Sequence, residues 1–61
     1  MLAVGKKIAI YRINTSHRMY GEGWGSYSVA ARTCEEAIRM AKREFISGER
    51  VESVNLLASN L

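Results

Sequence analysis

Thr33-Cys34-Glu35-Glu36 restricts this chain more than any other passage. Thr33 stands three residues before Glu36, the T-x-x-E pattern in which each side chain satisfies a backbone N–H near a helix start. Cys34, Ala37, Ile38, Ala41 and Phe45 then follow at i, i+3, i+4, i+7 and i+11, which draws one apolar stripe on a helix. Glu35 and Glu36 fall in the first turn, where carboxylates complement the helix dipole, and Glu35 is four residues from Arg39, within reach for an ion pair. Ser47-Gly48 closes the segment, glycine being suited to the left-handed conformation of a helix C′ position. One helix is therefore expected, and the remaining apolar runs lack its period.

Those runs read as strands. Lys7 to Asn14, "KIAIYRIN", is rich in isoleucine and tyrosine, and Asn14-Thr15-Ser16 supplies turn-forming side chains after it. Trp24 to Ala31 puts Tyr27, Val29 and Ala31 on one face and Ser26 and Ser28 on the other. Arg50 to Ala58 alternates Val54, Leu56 and Ala58, and the tail Ser59-Asn60-Leu61 is expected to fray. The order β-β-α-β predicts a small α+β domain over residues 1–61, with a helix on one face of a three-stranded, mainly antiparallel sheet. Strand one is apolar on both faces, as a central strand is, which favours the spatial order 2-1-3; a third strand parallel to strand two is the alternative. A tight turn at Gly21-Glu22-Gly23 sets Tyr20 opposite Trp24, whereas an open loop over Thr15 to Gly23 sets Asn14 there. Both loops are odd in length, so both put Ala9, Tyr11 and Ile13 on the face of Tyr27 and Val29, whereas an even loop or a bulge brings Ile8 and Ile10 there instead. One helix covers one face only. The other should carry an apolar row, and such a row marks an interface.

A chain of 61 residues buries little surface, so a second subunit or a larger partner is the expected source of extra stability. Its single cysteine, Cys34, excludes an internal disulfide. The N-terminal "MLAVGKK" is too short in apolar residues for a signal peptide, and no run is long enough to span a membrane. A cytoplasmic protein is the expectation. Nine basic residues against six glutamates leave a net charge of +3, enough to permit an anionic partner without requiring one.

Ser16 to Ser28, "SHRMYGEGWGSYS", concentrates glycines, aromatics and basic side chains. Its G-x-G-x-G spacing is not the dinucleotide fingerprint, no helix follows it, and no G-K-[ST] occurs, so the glycines read as turn chemistry. Arg12, His17, Arg18, Tyr20 and Trp24 are the candidate partner-binding residues. Arg18, with Arg39, Lys42 and Arg43 of the helix, are the candidate phosphate contacts if the partner is nucleic acid. Cys34 lies on the apolar stripe and is expected to be a small buried hydrophobe. His17 has neither a second histidine nor an aspartate to form a metal site or charge relay, and the glutamates read as cap, turn and helix-surface residues. No catalytic set, metal or cofactor is implied.

"SVAARTCEEAIRMAKREF" resembles the strand-then-helix passage of HicB-type antitoxin domains, in which T-x-E-E-A opens the helix. The resemblance covers less than a third of the chain, and the glycine-containing strand-to-strand segment of that family is not recognisable. The expected function is non-catalytic: a small binding protein acting through protein–protein contact as regulator, inhibitor or antitoxin-like subunit, with homo-oligomerisation through its sheet. A basic nucleic-acid binder is the alternative.

Overall fold

A computed structural model describes residues 8–59. The start of the expected first strand at Lys7, the N-terminal "MLAVGKK" and the end of the tail, Asn60 and Leu61, lie outside the described residues. Strand β1 spans Ala9–His17, β2 Gly21–Ala31 and β3 Glu49–Ala58, with helix α1 at Cys34–Lys42. The strands form one sheet in the order β2-β1-β3, and β1 pairs antiparallel with both neighbours. The chain is thus an α+β structure of β-β-α-β order with the central strand that its two apolar faces predicted.

Alternation along β1 sorts the side chains into two layers. Tyr11 faces Val29 and Leu56, Ile13 faces Tyr27 and Val54, and Thr15 faces Gly25 and Val51. Ile13, Ala31, Ala37 and Ala41 are buried together, with Tyr11, Tyr27, Val29, Ile38, Phe45, Val51 and Val54 packed around them. Two alanines on the buried face of α1 let the helix backbone approach the sheet closely, and Ile13 fills the space beneath at 0% exposure. Burying such a side chain contributes about 1.5–3 kcal/mol.

The capping pattern at the helix start is present with one change. Glu36 N–H donates to Thr33 Oγ1 at 3.1 Å, while the Glu36 carboxylate accepts the Arg32 N–H at 2.9 Å, one residue further back than a reciprocal box requires. Arg32, at 3.8 Å, is the ion-pair partner of Glu36; among the described residues Glu35 and Arg39 are not joined as an ion pair. Cys34 is exposed, contrary to the stripe. The buried residues of α1 are Ala37 and Ala41, so helix–sheet contact begins one turn in and leaves Cys34 beyond it. The helix also ends earlier than expected, at Lys42 with Arg43 as cap. Gly48, at φ 92°, serves the turn into β3 rather than the helix end.

The turn between β1 and β2 is Arg18-Met19-Tyr20, closed by the pair His17↔Gly21. Neither expected register is formed, and Asn14 faces Ser26 instead. Asn14-Thr15-Ser16 continues the strand rather than turning. Between Thr15↔Gly25 and His17↔Gly21, β2 carries two more residues than β1, an even insertion that preserves the side-chain faces. Ala9, Tyr11 and Ile13 therefore share the helix side with Tyr27 and Val29, as parity requires.

The opposite face is mostly polar. Arg12 lies between Ser28 and Asn55, and Asn14 between Ser26 and Ser53, with Asn14 Nδ2 donating to Ser53 Oγ at 3.1 Å. Only its far end is apolar, where Ile10 meets Ala30 and Ala58. A register shift between Ile10 and Tyr11 moves Ala58 to this side, away from Val54 and Leu56.

Candidate functional site at the hairpin tip

His17 ends β1 on the helix side and is 6% exposed. Both ring nitrogens are engaged. Nε2 lies 2.8 Å from the Ser47 carbonyl oxygen, which can only accept, so Nε2 carries the proton and donates. Nδ1 is then free to accept the Met19 N–H at 3.0 Å. Burial and two hydrogen bonds make His17 the post on which the turn is fixed.

Two rings rest on that post. Tyr20 lies 4.5 Å from the His17 ring centroid and Trp24 5.3 Å from it. Tyr20 and Trp24 stack on each other at 4.7 Å and 19°, a spacing that favours offset aromatic pairs. Met19, Tyr20 and Trp24 remain 75%, 63% and 42% exposed. The turn thus presents an apolar, aromatic surface held from behind by a buried imidazole. Gly21 and Gly23 supply the positive φ values, 90° and 72°, that let the chain fold back beneath it.

Beside the tip a cleft of about 420 Å³ opens, lined by Ser16, Arg18, Glu22, Arg50 and Glu52 among others. Arg18 belongs to it, and its backbone N–H donates to the Gly48 carbonyl at 3.0 Å. The Glu52 carboxylate accepts the Gly23 N–H at 3.3 Å. Arg12 is not brought to this place. It points from the polar sheet face about 17 Å along β1 from His17. Arg39 and Lys42 line a separate shallow hollow with Glu35 and Ile38, and Arg43 caps the helix. The expected phosphate contacts are thus divided between different surfaces, each with a carboxylate alongside.

A second polar group lies under the sheet edge, and local sequence did not point to it. The Glu49 carboxylate accepts from Thr15 Oγ1 at 2.7 Å, Tyr27 Oη at 2.8 Å and the Ile46 N–H at 3.0 Å. Burial alone would raise the Glu49 carboxyl. The Ile46 N–H, the two hydroxyls and neighbouring His17 outweigh it, and the carboxyl is held below its ordinary value of 4.5. The hydrogen bond to Glu49 is in turn the main reason that the Tyr27 hydroxyl is pushed above its ordinary 10.0, with burial and the charges of Glu49 and Glu44 adding to it. Gly25 is part of the same arrangement, because a Cβ there would stand 2.9 Å from Thr15 Oγ1 and 3.2 Å from Glu49 Oε2. Three donors occupy this carboxylate, so its work is to tie β3 to β1 and β2. The expectation that every glutamate sits in a cap, turn or helix surface is corrected for Glu49, and also for Glu22 and Glu52, which lie in strands β2 and β3.

Among the described residues no three histidine, cysteine or acidic side chains come together to hold a metal ion. No helix among them is long and apolar enough to cross a membrane. Comparison with family models, with curated proteins and with solved structures yields no match.

Proposed function

We propose that the chain is a non-catalytic binding protein that engages another protein through the tip of its β1–β2 hairpin. The observation that carries this reading is the stacked Tyr20–Trp24 pair, exposed to solvent yet fixed from behind by buried His17. Tyrosine, tryptophan and arginine dominate the residues that contribute most to protein–protein affinity, and rigid aromatics lose little conformational entropy when they dock. Tyr20 and Trp24, with Arg18 in the adjoining cleft, have this composition. A regulator, inhibitor or antitoxin-like subunit works by contact of this kind, in a cytoplasmic setting.

Nucleic acid is the weaker reading. Single-strand binders combine a basic groove with aromatic platforms, but the polar sheet face around Arg12 consists of serine and asparagine neighbours without an aromatic partner. Arg18 shares its cleft with Glu22 and Glu52. The test compares proteins retained from host lysate by the parent chain with those retained by Trp24→Ala and Tyr20→Ala. Loss of a specific partner in both variants, with circular dichroism unchanged, supports the tip as the contact. Retention of the same proteins by both variants, or a nuclease-sensitive partner, contradicts it.

A further inference from the structure

The two edges of the sheet differ in how they are guarded. Among the described residues neither β2 nor β3 has a strand on its outer side, and outward N–H and C=O groups there form a template on which a further strand can add. The β3 edge is blunted. It carries Arg50 and Glu52, and Glu52 and Leu57 are unmatched against β1; charges and bulges of this kind turn a further strand away. From Gly25 to Ala31, β2 has no such guard. That run pairs with β1 without interruption and holds neither a charge nor a proline. Among the described residues it takes part in none of the backbone hydrogen bonds made outside the helix and the strand ladders. Glu22 and the positive-φ glycines all precede it. The Tyr27 hydroxyl donates to Glu49 of β3, so its ring leans across β1 and leaves the outer side of β2 open.

We propose that a second copy of this chain pairs with the β2 edge, antiparallel, about a two-fold axis perpendicular to the sheet at Ser28, so that the two sheets become one. Such an interface must be complementary to itself. A perpendicular axis keeps every side chain on its own face of the joined sheet, and an axis at Ser28 uses the whole run from Gly25 to Ala31. It sets Tyr27 opposite the partner's Val29, an aromatic and a β-branched side chain of the kind that stabilises strand pairs. Ser26 then faces the partner's Ala30, and Gly25 the partner's Ala31. The run brings no charged side chain to the contact. Helix α1 packs over β2 and β1 more than over β3, which centres it near the gap between β2 and β1. Two such helices, side by side on the joined sheet, stand about 10 Å apart, a separation at which helices pack. This contact is separate from the hairpin-tip reading and stands or falls without it.

Sedimentation equilibrium of the full chain tests it with Ser28→Glu and Ser28→Lys, each alone and mixed in equal amounts, and with Asn55→Glu. Ser28 and Asn55 flank Arg12 on the polar face, one on each edge strand, and both are exposed. The parent is expected to dimerise. Either Ser28 variant alone sets like charges against each other at the axis and should dimerise at least about tenfold more weakly. In the mixture a carboxylate meets an ammonium there, so association should return to near the parent level. Asn55→Glu places the same charge beside the same arginine on the β3 edge and should dimerise as the parent does. A monomeric parent, Ser28 variants that dimerise as the parent does, or a mixture no tighter than its components while each remains folded by circular dichroism would overturn the proposal. So would an Asn55→Glu variant weakened as much as Ser28→Glu.

Discussion

Gly48 and Gly21 provide a matched pair for measuring how firmly His17 is held. Their φ angles are nearly equal, 92° and 90°, so alanine meets the same kind of backbone strain at either. That strain costs about 1–2 kcal/mol. Their surroundings differ. A Cβ at Gly21 meets nothing within 4 Å, whereas one at Gly48 stands 3.0 Å from His17 Nε2, 3.1 Å from Cε1 and 3.3 Å from Arg18 Cγ. The imidazole cannot swing aside without losing the Ser47 and Met19 hydrogen bonds, so overpacking adds about 1–3 kcal/mol. Gly48→Ala should therefore cost about 2–5 kcal/mol, against a total stability on the order of 3–9 kcal/mol for a chain of this length. Urea unfolding reads the difference, with an m value of about 1 kcal/mol/M moving the midpoint about 1–3 M further for Gly48→Ala than for Gly21→Ala. In a His17→Ala background most of the excess should vanish, since the two closest contacts are gone and only that to Arg18 Cγ, on an exposed side chain, remains. Equal losses for the two glycine variants, or an excess that largely survives removal of the imidazole, would refute the post-and-turn account of the tip.

Ile13→Ala should cost about 2–5 kcal/mol, because Ile13 is the large apolar side chain at 0% exposure among small buried alanines; a midpoint shift under about 0.5 M urea would show a looser core than described. The lowered Glu49 carboxyl binds its proton less readily folded than unfolded, so its contribution is present above pH 4.5 and is lost as pH falls through its lower folded value. Glu49→Gln should accordingly flatten the acid limb of a stability–pH profile, and an unchanged limb would contradict the role given to Glu49. For Tyr27 the sign reverses: with its hydroxyl raised above 10.0, stability is full below pH 10.0 and declines as pH rises through the folded value, and Tyr27→Phe should remove that decline. Exposed Cys34 should react with a thiol reagent in native buffer as fast as in denaturant, whereas protection would restore the buried reading.

The parts of the fold legible in the sequence were those with a local cause. Thr33 and Glu36 marked the helix start because a cap is made by side chains three residues apart, and period-two patterning assigned Tyr27 and Val29 to the face of Ile13 whichever odd loop joined the strands. Distant contacts were not legible. Asn14-Thr15-Ser16 has turn-forming side chains, yet Thr15 stays in the strand beside Glu49, which comes from 34 residues away. His17 looked like a loop residue because its acceptor, the Ser47 carbonyl, is 30 residues distant. The register shift that moves Ala58 across the sheet leaves no residue signature in Arg50 to Ala58. Of the candidate partner-binding residues, Arg18, Tyr20 and Trp24 come together around the buried imidazole, while Arg12 belongs to a separate face.

Site-specific photocrosslinking tests the central claim most directly. A photoreactive amino acid is placed at position 20, on the aromatic tip, and in a second variant at position 39, on the exposed side of α1. Irradiation in host lysate should join position 20, and not position 39, to a discrete protein. Crosslinks to that protein from position 39 instead, or to nucleic acid from position 20, would contradict the account.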